Sequence, residues 1–285
     1  MRRRSSWLIG ILVAICALGI GSAYADTVYS QQDNGITLRY KFTPGELLRY
    51  NLKMVMNMNM AIAGQTKSMP VTTTAIYRMR TVKVLPNGDA EIRAAVESMK
   101  SDMNGSELPL NASSLPVISY IMSPRGDMKS FKMEGDGFGA AGNPFSKMTD
   151  LQGMSPTLPE KAIKVGDSWQ QDVPFPDMGS SSPITMTGKV KNQFLLTSAS
   201  AKVASIQQYQ SGDFQMKMKT GNAGGNAASA GNMDMKGNLC FSIEKGHLVS
   251  CTTSGKTHVD TMVTGANGGH MGMDMQVTMT MTLIQ

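Results

Sequence analysis

Histidine, cysteine and tryptophan are scarce in this chain: three, three and two among 285 residues. His247, His258 and His270 stand apart, with no His-Glu-x-x-His and no nucleophile–base arrangement around any of them. That excludes the zinc-peptidase and serine-hydrolase patterns that a sequence displays directly. His247 falls beside a turn and His258 in a strand-like run, so all three read as solvated side chains. The glycine-rich patches lack the lysine and the strand–helix setting of a phosphate loop. Beyond the first 25 residues no apolar run approaches the ~20 residues a membrane helix requires. The expectation is no catalytic residue, no cofactor and no integral membrane segment in the mature protein.

The chain opens MRRRSSWLIGILVAICALGIGSAYA. Arg2, Arg3 and Arg4 form a positive region, Trp7 to Ile20 an apolar one, and Ala23-Tyr24-Ala25 a small-residue cleavage site. This is the pattern of a secretory signal peptide cut before Asp26. The residues after the arginines fit a twin-arginine motif poorly, and Val13-Ala14-Ile15 before Cys16 lacks the small residue of a lipoprotein signal. Cleavage leaves 260 residues with 24 basic and 21 acidic side chains, a net charge of about +3. So small an excess argues for neither a nucleic-acid partner nor a polybasic membrane patch. Cys16 leaves with the leader. Cys240 and Cys251 remain, and an even pair in an exported chain reads as a disulfide. A two-residue turn at Lys245-Gly246 sets them directly opposite each other on one hairpin.

What the chain has in excess is methionine, 25 of the 260 mature residues. From Arg49 to Gly64, RYNLKMVMNMNMAIAG, residues Tyr50, Leu52, Met54, Met56, Met58, Met60 and Ile62 take every second position. Arg49, Asn51, Lys53, Asn57 and Asn59 take most of the others. A period of two divides a β-strand into an apolar and a polar face. The last fifteen residues repeat it: Met271, Met273, Met275, Val277, Met279, Met281 and Leu283 share one face, and Asp274, Gln276, Thr278, Thr280 and Thr282 the other. The predicted fold is mainly β, with long antiparallel strands in a curved sheet, open half-barrel or sandwich and a loop-rich middle segment.

Four regions follow: the leader 1–25, an antiparallel region 26–103, the loop-rich middle 104–182 and a second antiparallel region 183–285. Ile36 to Phe42 alternates as a short strand. Pro86-Asn87-Gly88-Asp89 is a hairpin turn, and the apolar phase shift near Thr81 marks a bulge. The stretch from Asn104 to Pro183 holds nine of the twelve prolines. Val117 to Met122 and Met128 to Phe131 read as strands there, and Asn143-Pro144 as the cap of a short helix. TGNAGGNAASAGN, from 220 to 232, reads as a mobile hairpin loop.

Two readings of the methionines compete. Flexible thioethers suit an adaptable apolar surface, which makes Met54, Met56, Met58, Met60, Met279 and Met281 a candidate face for an apolar ligand, a lipid or a lipoprotein. Thioethers also select soft ions such as Cu(I) and Ag(I); on that alternative His270, Met271, Met273 and Met275 are the candidate ligands. Same-face residues of one strand lie ~7 Å apart, so such a site needs a partner from the next strand. Arg125-Gly126-Asp127 matches the cell-adhesion tripeptide but is already accounted for as a turn. Asn104-Gly105-Ser106 and Asn111-Ala112-Ser113 are glycosylation sequons only in a eukaryotic host.

Trp169, the sole tryptophan after the leader, anchors the loop-rich middle on the sheet. It closes the segment Leu158-Pro159-Glu160-Lys161 through Gly166-Asp167-Ser168-Trp169. This segment, Tyr40-x-Phe42-x-Pro44-Gly45-Glu46, the Pro124-Arg125-Gly126 hairpin and Phe241-Ser242-Ile243-Glu244-Lys245-Gly246-His247-Leu248 together resemble a family of exported bacterial β-rich proteins. The resemblance implies a bacterial envelope address, periplasmic or extracellular, and carries no activity and no functional residues. The expected role is a non-enzymatic envelope protein binding an apolar ligand or partner, with Cu(I)/Ag(I) binding as the alternative.

Overall fold

The computed structural model describes residues 35–62, 65–108, 117–134, 156–174, 184–220, 225–264 and 269–285. Among these the regular elements are all strands. In chain order they are β1 (Leu47–Ile62), β2 (Gln65–Val84), β3 (Ala90–Met103), β4 (Ser106–Leu108), β5 (Val117–Met122) and β6 (Met128–Glu134). Then come β7 (Ser168–Pro174), β8 (Ile184–Ala199), β9 (Val203–Thr220), β10 (Gly225–Ser242), β11 (His247–Val263) and β12 (Gly269–Leu283).

All twelve belong to one antiparallel sheet ordered β6-β5-β3-β2-β1-β12-β11-β10-β9-β8-β7, with β4 paired to β3. The predicted curved, open sheet is what forms. One sheet, not two packed sheets, carries both β regions, because β1 pairs with β12 along its length. Curvature shows in what meets across the inside. Tyr120 of β5 and Leu248 of β11 line the same cavity although β3, β2, β1 and β12 lie between their strands. Strands of sixteen to twenty residues are well beyond the usual length. Their strict alternation keeps one face inward throughout. Where the alternation slips, the ladder slips with it: the register shifts between Thr81 and Lys83 and leaves Val82 46% exposed. The turn after β2 is the predicted one, with Asn87 Nδ2 donating to Asp89 at 2.8 Å.

One end of the curled sheet is filled. Residues 35–42 do not add a strand there as the alternation predicts; a single bridge joins Ile36 to Ile163. The segment crosses the sheet's end instead and turns Leu38 and Tyr40 into the core. Its backbone bonds go to turns, with Tyr40 N–H donating to the Pro124 carbonyl at 2.7 Å and Lys41 N–H to Gly246 at 3.0 Å. Residues 156–163 lie beside it, Leu158 N–H donating to the Arg125 carbonyl at 2.6 Å. Leu38, Leu158, Phe194, Leu196, Ile206 and Phe241 are all 2% exposed or less. At about 1.5–3 kcal/mol for each side chain fully buried, this end supplies much of the drive to fold. Tyr40 meets Phe241 edge-on at 5.3 Å. Trp169 stacks on Phe194 at 5.2 Å and donates Nε1–H to the Thr157 carbonyl at 2.8 Å, the predicted anchor. Arg125-Gly126-Asp127 is consumed by the same packing. Arg125 Nε donates to Leu158 O, the Asp127 carboxylate accepts from Ser123 Oγ, and Gly126 is buried.

The β10–β11 hairpin corrects the predicted disulfide. Ser242 pairs with His247, so the loop takes four residues, Ile243 to Gly246, and not two. A bulge between Cys240 and Phe241 then sets Cys240 against Ser250 and Leu239 against Cys251. A one-residue slip sends a side chain to the opposite face. Cys251 is fully buried inside, its Sγ 3.3 Å from Thr253 Oγ1, while Cys240 is half-exposed outside, and both are free thiols. Burial raises both thiol pKa values, which keeps them unreactive. The low-complexity stretch predicted as a loop is largely strand: β9 runs to Thr220 and β10 starts at Gly225. The helix predicted after Asn143, the sequon at Asn111 and the leader lie outside the described residues.

Candidate functional site

Away from the filled end the inner face is methionine. Neighbouring strands place these residues in transverse rows. Met58 of β1 lies between Met69 of β2 and Met275 of β12. Met60 faces Met273 and Met54 faces Met279. Directly opposed side chains have Cβ atoms ~4.5–5.5 Å apart, so the thioethers of a row reach one another. Met54, Met56, Met58, Met60 and Met279 are each half-buried, and Asn57 on the other face is exposed. Met281 differs: at 4% exposed it belongs to the filled core and not to this face.

The far wall is made differently. On β8 to β11 the inward positions include Gly188, Gly212, Gly231 and Gly255. Phe214 and Val259 form a small second core there with Met273 and Met275 against them. The Phe214 ring lies over Gly231, where a Cβ would come within 2.5 Å of Cζ. Between this region and the aromatic core runs a polar band. Thr73 Oγ1 and Ser101 Oγ are 2.9 Å apart, and Gln210 Nε2 donates to Asn192 Oδ1 at 2.7 Å. Paired polar groups of this kind sit inside a sheet at little cost.

The predicted metal set does not assemble. Alternation turns Met271, Met273 and Met275 inward and His270 outward, where His270 Nε2 lies 3.3 Å from Asp260 Oδ1. The sequence put the four in one line, but a strand divides consecutive residues between two faces. Outside, a chain of charges forms instead. His258 meets Asp274 through Nδ1 at 2.7 Å and Asp260 through Nε2 at 3.1 Å. The hydrogen bonds to Asp274 and then Asp260 raise its pKa. Both ring nitrogens are thus taken up by carboxylates, which leaves neither free for a metal in this arrangement. Among the described residues no group of three or more His, Cys, Asp or Glu is placed to hold a metal ion. No helix among them is long and apolar enough to cross a membrane.

His258 and His270 are the solvated histidines the sequence predicts. His247 is not: it is only 6% exposed and sits in the filled end. No local pattern signals this, because the segment packed on its hairpin, with Lys41 N–H donating to the Gly246 carbonyl, comes from the other end of the chain.

No family model matches the chain, and no curated protein matches it. Solved structures overlay it weakly. DynF, from the dynemicin biosynthesis pathway of Micromonospora chersina, is 6% identical over 89% of this chain and 90% of its own, with a TM-score of 0.24. A mutant porin of Rh. blastica is 6% identical over 82% of this chain and 100% of its own, with a TM-score of 0.24. Pseudomonas aeruginosa OccK2, solved in complex with glucuronate, is 6% identical over 85% and 100%, with a TM-score of 0.21. Likenesses at this level carry no argument about what this chain does.

Proposed function

We propose that this chain is a non-enzymatic protein of the bacterial cell envelope that holds an apolar ligand, an acyl chain of a lipid or lipoprotein, on its methionine-lined inner face. The observation that carries the reading is the transverse packing of half-buried thioethers, above all Met69, Met58 and Met275 in one row. An unbranched, polarizable side chain adapts to a flexible apolar partner better than a branched one. Glycines on the opposite wall serve a different need, the close approach of neighbouring strands and of the Phe214 ring, so the adaptable surface is the methionine rows. The leader supplies the address. Native mass spectrometry and lipid extraction of protein purified from an envelope fraction test the proposal. Bound lipid is expected, and Met58→Asp should reduce its recovery by more than half, since a charge would enter the apolar row. Protein that is consistently ligand-free in both measurements would overturn it.

A further inference from the structure

The filled end encloses a cavity of about 50 Å³ lined by Tyr50, Tyr77, Met79, Met122, His247 and Met281, among others. Its polar groups are unevenly served. Tyr50 donates its hydroxyl to the Leu248 carbonyl at 3.0 Å. Tyr77 Oη and both ring nitrogens of His247 find no hydrogen-bond partner in the protein, although their residues are only 8% and 6% exposed. Buried polar atoms are nearly always paired, so three orphans on one cavity point to something that cavity holds.

The donor set narrows what that is. His247 is buried with neither ring nitrogen hydrogen-bonded, so a ring lone pair is available to a ligand. Three thioethers lie around the same space. Glu46, half exposed, is the sole carboxylate on the lining, too few oxygens for calcium or magnesium. The volume is far below the ~300 Å³ of a site for a drug-sized molecule. An apolar guest would leave the imidazole and the phenol unpaired. Imidazole with thioether is the soft set that selects monovalent copper or silver.

We propose that this cavity binds one soft monovalent cation, Cu(I) or Ag(I), through a ring nitrogen of His247 and thioethers from among Met79, Met122 and Met281. The other ring nitrogen and the Tyr77 hydroxyl supply the outer polar contacts that orient the ligand. This site is independent of the apolar-ligand face, which lies farther along the strands.

The test is an anaerobic Cu(I) titration of the mature full-length protein against a chromophoric Cu(I) chelator, repeated with Ag(I) and followed by X-ray absorption of the loaded protein. One equivalent should bind in competition with the chelator, with nitrogen and sulfur scatterers. His247→Gln should weaken binding at least tenfold. Met122→Leu and Met281→Leu change shape little and should each weaken it several-fold in protein whose circular dichroism is unchanged, which keeps the test decisive if His247→Gln does not fold. Met58→Leu and Met275→Leu should leave the affinity as it was. Failure to compete for Cu(I) would mean that the cavity takes water only and would overturn the proposal. So would binding that the Met58 variant abolishes and the Met122 and Met281 variants leave untouched.

Discussion

β1 passes through the filled end near its start and ends on an open face. Tyr50 is 3% exposed and hydrogen-bonded across the interior to Leu248, while Met60, ten residues on and on the same side of the strand, is half-buried opposite Met273. Both residues obey one alternation, so period two alone does not decide which is buried. The difference comes from residues 35–42 and 156–163, which lay Leu38, Tyr40 and Leu158 into the first end. Stability is therefore concentrated at one end of these strands, and apolar surface is kept available toward the other. A sheet built this way can leave its methionine rows incompletely packed because the aromatic end holds the curl.

Removing one side chain from each end should separate the two regions most clearly. Phe241→Ala, at a fully buried position, should cost about 3–5 kcal/mol of unfolding free energy. Met58→Ala, at a half-buried one, should cost roughly 1 kcal/mol, since only part of the transfer energy was gained. Urea denaturation of the two variants measures both. Equal losses would show that the methionine face is core like the rest.

The chain's local rules were readable in advance, and its long-range decisions were not. Alternation gave the inward and outward faces of β1 and β12, Asn87-Gly88 gave a turn, and the phase shift gave the bulge at Val82, because each is decided within a few residues. The pairing of β1 with β12, which makes Met58 the centre of a row, joins residues more than two hundred positions apart. Nothing in either strand states it. The cysteine register failed on a longer turn and a single bulge, and the burial of His247 depends on the segment 35–42 that packs on its hairpin. The stretch before Met233 looked like a loop because Ala, Ser and Gly have weak strand propensity. There the small side chains serve a packing need: Gly231 accommodates the Phe214 ring.

That accommodation gives a second, smaller test, on the open part of the sheet. Gly231→Ala puts a Cβ 2.5 Å from Phe214 Cζ and 2.6 Å from the His258 carbonyl oxygen. The ring can swing but the backbone oxygen cannot, so a loss of about 1–3 kcal/mol is expected. Phe214→Leu in the same chain should recover part of it by freeing the ring's space. A neutral Gly231→Ala in urea denaturation would mean that the glycine wall is not packed and that the contrast with the filled end is still larger.

The smallest expected effect sets one histidine of each region against the other. His247 in the filled end has its pKa lowered, chiefly by burial, with Lys245 adding to the shift and Glu46 opposing it. The unfolded chain then binds its proton more readily than the folded one. Stability should fall as pH drops through 6.5, the ordinary histidine value, and level off below the folded value. One proton gives a slope of at most about 1.4 kcal/mol per pH unit. His258, on the outer face, has its pKa raised, first by Asp274 and then by Asp260. Its contribution has the opposite sign: fully present below pH 6.5 and lost as pH rises through the raised folded value. Solvent screens that exposed cluster, so its part should be the lesser of the two. Urea midpoints between pH 7.5 and 5 separate them. His247→Gln should flatten the acid loss of stability and His258→Gln should steepen it. If His247→Gln leaves the pH profile unchanged, the imidazole is in water, and the filled end is less closed than its aromatic lining implies.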